Sequence, residues 1–306
     1  MEFKHISVLL NEMLSGLNIS PDGLYLDCTL GGAGHSQEIL KRLSPKGHLY
    51  GVDKDQDALN FSQEKLKNFK NVTYIKSDYN ELDDKLPREV FFDGILLDLG
   101  VSSYQIDTAE RGFSFLKDGP LDMRMDKESE LTAYDVVNTY SQKDLEKILF
   151  LYGEEDFSKQ IVRAILKARQ EKPIQTTKEL NDIIENSVPF KYRLKGAAKK
   201  TFQAIRIEVN QELEHLTNTI NFLATKLKKG GRMAIITFHS LEDRIVKQAF
   251  AFLEKDCICP PKTPVCICGK KQIVKLVNKK PILPSEEELA ENNRSRSAKL
   301  RICEKV

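Results

Sequence analysis

The chain has 306 residues, of which 41% are hydrophobic and 30% charged, with a formal net charge of +2 and six cysteines. That is ordinary globular composition with enough apolar material for about two domains, and it excludes a polyanion partner held by overall charge alone. No uncharged apolar run is long enough to span a bilayer, MEFKHIS has no signal-peptide core, and the cysteines read as thiols or metal ligands rather than a disulfide framework. A cytoplasmic protein without a membrane partner is expected.

The first third alternates short β-rich runs with helical segments. LYLDC (Leu24 to Cys28) leads into a glycine-rich loop, and Ser36 to Leu43 follows with Ile39, Leu40 and Leu43 at helical spacing. HLYGVD (His48 to Asp53) is the next strand, Asp57 to Phe69 the next helix, and VTYI (Val72 to Ile75) the third strand. FDGILLD (Phe92 to Asp98) is a fourth, apolar enough for the buried centre of a parallel sheet. This alternation predicts a doubly wound α/β sheet.

From about Thr132 to Asn210 only helical patterns occur, with Thr177 as the expected N-cap of one helix and Pro173 and Pro189 in the gaps. TINFLATKLKKGG (Thr219 to Gly231) reads as a helix ending at glycine, and RMAIITF (Arg232 to Phe238) as a strong fifth strand. The simplest architecture is one α/β domain interrupted by a helical insertion. The expected divisions are 1–110 and 213–306 for the α/β domain and 111–212 for the insertion.

The loop LDCTLGGAGHS (Leu26 to Ser36) holds a ligand of a kind its residues can narrow. No Lys-Ser/Thr follows the glycines, so the Walker pattern fails. A dinucleotide fingerprint starting at Gly32 and Gly34 meets Gln37 at its third glycine position, which disfavours a nicotinamide oxidoreductase. Asp53 at the end of the second strand suits ribose hydroxyls, and Asp27 before the loop suits a cationic ligand better than a pyrophosphate. The plain alternative is a tight turn at Gly31, Gly32 and Gly34. The loop, Asp53, Asp78 with Tyr79, and Asp98 all fall at carboxyl ends of successive strands, where such sheets bind ligands.

Several longer motifs carry a resemblance. KHISVLL (Lys4 to Leu10), TLGGAGHS (Thr29 to Ser36), DGILLDLGVSS (Asp93 to Ser103), ERGFSF (Glu110 to Phe115) and DGPLDMRMD (Asp118 to Asp126) belong together with TFQAIRI (Thr201 to Ile207) and FHSLEDRIVK (Phe238 to Lys247). Over nearly the whole chain they resemble the ribosomal RNA small subunit methyltransferase H family, bacterial 16S rRNA cytosine-N4 methyltransferases. The resemblance implies a class I, Rossmann-like methyltransferase domain with an inserted all-helical domain, and S-adenosyl-L-methionine as donor. The acceptor it implies is a cytidine in the decoding region of 16S rRNA, within the small ribosomal subunit. Carried over by motif position, the donor contacts are Ala33, Gly34, His35, Asp53, Tyr79, Asp98 and Gln105. Many amino-methylating enzymes carry Asn/Asp-Pro-Pro-Tyr/Phe after the fourth strand. This chain has DLGV (Asp98 to Val101), so that element's assignments do not transfer.

For the acceptor amine, Asp98 with Ser102 and Ser103 are the first candidates. His239 and Ser240 are next, the alternative for His239 being a helix cap. Lys191, Arg193, Lys195, Lys199, Lys200 and Arg206 cluster with Phe190, Tyr192 and Phe202 in the insertion, a mixture suited to phosphate contacts and base stacking. The alternative there is a solvated helix face. Arg111, Arg124, Arg294 and Arg296 are further basic candidates.

CICPPKTPVCICGK (Cys257 to Lys270) holds two Cys-x-Cys pairs. Cys257, Cys259, Cys266 and Cys268 could give four thiolates to a structural zinc, although each pair is tighter than usual. The alternative is two hairpin-like arms with reduced thiols. The other reading of the whole chain is a non-catalytic RNA-binding ribosome assembly factor, against which the loop, Asp53 and Asp98 argue. A monomer or a homodimer fits equally.

Overall fold

A computed structural model describes residues 7–193, 197–260 and 265–306. The chain divides into two compact units, one made of residues 1–100 and 213–306 and the other of residues 101–212.

The first unit carries a seven-stranded sheet: β1 (Leu24–Asp27), β2 (His48–Asp53), β3 (Val72–Lys76), β4 (Phe92–Asp98), β5 (Leu227–Thr237), β6 (Val274–Leu276) and β7 (Lys299–Lys305). Their order is β3-β2-β1-β4-β5-β7-β6. Strands β1 to β5 pair in parallel, and β7 runs antiparallel to both β5 and β6. This is the class I methyltransferase arrangement.

Both faces of the sheet are covered, so its central strands carry consecutive buried apolar residues, Ile95 to Leu97 in β4 and Met233 to Ile236 in β5, rather than alternate ones. Ile95 and Leu97 of β4 pack with Met233 and Ile235 of β5 on one face, together with helices Leu216–Thr225 and Ser240–Glu254. Leu96, Ala234 and Ile236 turn to the other face and pack with Met13, Leu17 and Ile39.

The expected helix running to Gly231 is corrected. The helix spans Leu216–Thr225, and Lys228 to Gly231 lie inside β5. The pairing of β4 with β5 shifts there, Phe92 facing Leu227 but Gly94 facing Arg232, and Gly230 takes φ +80 in that irregularity. Glycine at the end of a helical pattern is also what a strand bulge demands, so the two signals coincide. Two earlier helices run Gly34–Leu40 and Gln56–Lys65, each shorter at its C-terminal end than the pattern suggests.

The second unit is helical, with longer helices at Gln142–Leu151, Ser158–Glu171, Thr177–Ser187 and Ala197–Asn210 around a core that includes Leu145, Ile161, Ile165, Leu180 and Ile205. Its helix starts are specified locally. Thr176, not Thr177, is the cap of its helix, forming a reciprocal box with Glu179, and Thr132 does the same with Asp135. The DGPLD segment is tied to that helix start. Thr177 donates its backbone N–H to the Gly119 carbonyl, 2.9 Å, and Leu121 donates to the Gln175 carbonyl, 3.1 Å.

Candidate active site

The glycine loop sits where the strand order reverses, with β1 between β2 and β4, the usual ligand crevice of an open α/β sheet. It is held from both neighbouring strands, β2 and β4. Leu30 N–H donates to the Val52 carbonyl (2.8 Å), Gly31 N–H to Asp53 Oδ2 (2.7 Å), and Asp98 N–H to Thr29 Oγ1 (2.6 Å). From outside, Ser62 Oγ donates to the Gly31 carbonyl and Lys65 Nζ to the Gly32 carbonyl. Ala33 adopts φ +52, rare for a residue with a Cβ, and starts the helix Gly34–Leu40. At Gly34 an added Cβ would come within 1.8 Å of Ser7 Oγ, so any larger residue there would displace the Ser7 side chain from the loop.

Asp27 has a different task from the one its sequence position suggests. It is buried, Oδ2 accepts from Ser36 Oγ (2.6 Å), and Oδ1 accepts from Thr29 N–H (3.0 Å), so it ties the two ends of the loop together. Asp53 accepts one backbone N–H on each oxygen, from Gly31 and from Asp55 (2.9 Å). A carboxylate offers about four lone-pair sites, which leaves room for two ribose hydroxyls. Burial pushes both acids up to about 6.

Asp98 stands apart. Its side chain is 27% exposed, yet Oδ1 is buried without a hydrogen-bond partner, and Oδ2 lies 3.7 Å from His35 Nδ1. Burial first, then the charges of Asp27 and Glu242, push its carboxyl up to about 8. His35 is buried, with Nε2 3.0 Å from the Val8 carbonyl, so its ring joins the loop to the segment before helix Leu10–Leu17. Tyr79 lies half-buried in a short turn capped by Asp78, whose carboxylate pairs with Lys54 Nζ at 3.0 Å. Because Ser77 N–H donates to the Asp53 carbonyl, that turn is placed beside the end of β2.

His239 caps helix Ser240–Glu254, its Nδ1 accepting the Glu242 N–H at 3.4 Å while the Glu242 carboxylate accepts the N–H groups of Phe238 and His239. Its Nε2 lies 3.1 Å from Glu242 Oε1 without the alignment of a hydrogen bond. Glu242 is the residue that sequence reading missed. It is almost wholly buried, and with Asp27 and Asp98 it makes three carboxyls at the ends of β1, β4 and β5. The available signal was the H-S-L-E spacing of a capping box.

In the second unit, Ser102 caps the short helix Ser103–Asp107 in a reciprocal box with Gln105, which is buried. Ser102 and Gln105 therefore have defined structural work there, and Ser103 is the first residue of that helix. The basic cluster is thinner than its sequence suggests. Arg206 makes two hydrogen bonds to buried Glu212 (2.8 and 2.9 Å) and is only 16% exposed, and Lys200 donates to the Glu154 carbonyl. Arg193 is half-buried near the Val188 carbonyl, Lys191 and Lys199 are exposed, and Lys195 lies outside the described residues. Phe202 is buried edge-on to Phe115, and Tyr192 packs on Phe157, which leaves Phe190 as the exposed aromatic of the three. Arg111 is buried on the carbonyls of Arg124 and Met125, and Arg124 is paired with Asp122. Arg294 and Arg296 are exposed in the first unit.

Residues 2–306 match the MraW methylase family. The chain belongs to that family. Its relatives include proteins named ribosomal RNA small subunit methyltransferase H, one from Clostridium botulinum (strain Kyoto / Type A2) at 56% identity and one from Clostridioides difficile (strain 630) at 53%. Both alignments cover all of this chain and all of the relative. A methylase of this fold uses S-adenosylmethionine, and the residues fit that donor. A cation beside Asp98 would give its unpartnered oxygen a charge partner, and Asp53 retains acceptor capacity for a ribose. Among the described residues no helix is long and apolar enough to cross a membrane.

Proposed function

We propose that this chain methylates N4 of a cytidine in the decoding region of 16S rRNA, within the small ribosomal subunit, using S-adenosylmethionine. The observation that carries the reading is the Asp98 carboxyl, unpartnered at Oδ1 at the end of β4, on a residue whose backbone N–H bonds to Thr29 of the glycine loop. The full-length family match and the name of the relatives support the substrate class.

The donor supplies an electrophilic methyl on a cationic sulfonium. Asp53 fixes the ribose end through the oxygens already ordered by Gly31 and Asp55. The loop from Thr29 to Gly34 cradles the methionine end, and a cationic sulfonium beside Asp98 favours the ionised form of that carboxyl, which is otherwise held protonated by burial and by the charges of Asp27 and Glu242. The N4 amine of cytosine is a weak nucleophile because its lone pair is delocalised into the ring. Acceptors aimed at its hydrogens favour a pyramidal nitrogen, and in-line positioning supplies most of the remaining rate. Asp98 and the Ser102–Ser103 segment are the proposed acceptors, with His239 as a further one. No strong base is needed, because the alkylated amine is acidic and loses its proton readily. The transfer is direct, without a covalent bond to the enzyme. The target base leaves its stack to reach the methyl, which favours unpaired RNA. The exposed Lys191 and Lys199, with Lys195 and Phe190, are the proposed RNA contacts of the insertion.

Nucleoside mass spectrometry of small-subunit rRNA from cells with and without the gene tests this. Loss of N4-methylcytidine in the deletion, restored by the wild-type chain and not by Asp98→Ala, is expected. An unchanged nucleoside profile would overturn it.

A further inference from the structure

We infer that Cys257, Cys259, Cys266 and Cys268 bind one structural zinc ion that staples the segment 255–273. The segment joins helix Ser240–Glu254 to β6, and its described residues form neither helix nor strand. It brings almost no core of its own, since Ile258, Val265 and Ile267 are all exposed. Long connections without secondary structure are uncommon unless something other than apolar burial orders them. The neck is closed where Ile273 N–H donates to the Leu253 carbonyl at 2.9 Å. Beyond that neck the four sulfurs are the feature on which the two arms converge.

Their geometry is that of a coordination tetrahedron. A tetrahedral zinc–thiolate bond of about 2.3 Å implies sulfur–sulfur edges of about 3.8 Å. The observed edges are 3.5 Å for Cys257–Cys266, 3.9 Å for Cys259–Cys266, 3.5 Å for Cys266–Cys268 and 3.8 Å for Cys268–Cys257. All four ligand atoms lie within 4.8 Å of one another. These separations are far beyond a disulfide bond of about 2.05 Å. The four thiols are free.

The backbone is arranged for thiolates as well. Ile258 N–H donates to Cys268 Sγ and Ile267 N–H to Cys259 Sγ, each at 3.4 Å, so the middle residue of each Cys-x-Cys arm serves a sulfur of the other arm. Cys259 N–H also donates to Cys257 Sγ at 3.4 Å. The two arms are thus exchanged by an approximate two-fold relation through the centre of the sulfurs. Amide donors around a thiolate set spread its charge and fix ligand orientation. Gly269, at φ +62 directly after the last cysteine, permits the turn away from the cluster.

Binding converts four thiols and one Zn²⁺ into a site of net charge −2 and releases four protons to solvent. Four thiolates complete the tetrahedron and leave no open position, which makes the ion structural rather than catalytic.

The full chain, purified without chelator from zinc-supplemented medium, is analysed by elemental mass spectrometry and native thiol titration. About one zinc per chain with these four thiols protected is expected. The Cys257→Ser/Cys259→Ser double variant should lose at least about nine-tenths of the zinc, while Cys303→Ala keeps it. After zinc removal, protease should cut within 255–273 at least about tenfold faster. Less than about a tenth of a zinc per chain, stoichiometric iron instead, or zinc retained in full by the double variant would each overturn the inference.

Discussion

Asp98 keeps its proton to about pH 8 in the folded protein, whereas a carboxyl in the unfolded chain ionises near 4. Between those values the folded state binds more protons than the unfolded one, so stability falls as pH rises through this window. Asp27 and Asp53 contribute the same sign up to about 6. Asp98→Asn should therefore leave the donor-free melting temperature less sensitive to pH between 6 and 8, with the variant more stable than wild type at pH 8. Parallel melting curves across that range would count against it. A bound cation favours the ionised carboxyl, so donor affinity should rise with pH towards 8 in wild type and stay flat in the variant, by calorimetry. Asp53 carries a separate prediction. Hydrogen bonds to a charged group are worth about 1.5–3 kcal/mol, so Asp53→Ala should weaken the donor by roughly 10- to 100-fold while the circular dichroism spectrum is retained.

At the scale of elements, the second unit depends on caps and close backbone approach. Thr176→Ala removes a capping box and should cost about 1 kcal/mol in a denaturant titration. Gly119→Ala should cost more, about 1–3 kcal/mol, because the added Cβ would stand 1.9 Å from the Ala109 carbonyl oxygen, a backbone atom with little freedom to move. A Gly119→Ala variant that melted like wild type would show that the DGPLD segment does not pack this tightly on Ala109. The parallel strands and the helical insertion were legible in the sequence, since apolar runs and 3.6-residue periodicity report local burial directly. The end of helix Leu216–Thr225 was not, because the paired glycines at Gly230 and Gly231 serve a strand irregularity set by β4. The work of Asp27 was equally hidden. Its position at the end of β1 was plain, but its two partners, Thr29 and Ser36, close on it only once the loop has folded.

Across the whole molecule, the basic residues of the insertion divide by what holds them. Lys191→Ala/Lys195→Ala/Lys199→Ala should weaken rRNA binding and lower the slope of log affinity against log salt by about 0.7 for each phosphate that these lysines neutralise. Arg206→Ala should act on stability instead. It removes both guanidinium hydrogen bonds to the buried Glu212 carboxylate, at a cost on the order of 3 kcal/mol, seen as a lower denaturation midpoint. A large drop in RNA affinity with unchanged stability in Arg206→Ala would reverse that division. The sequence by itself determined the α/β class, the helical interruption, the glycine loop with its acids, and the family, because each is written in local periodicity or in residues close along the chain. Only the tertiary structure decided which acid binds the loop and which stays unpartnered, which arginines are spent on ion pairs, and that four cysteines meet at tetrahedral spacing. Those outcomes depend on how loops and helix ends close on themselves in space, and on burial, which no local pattern encodes.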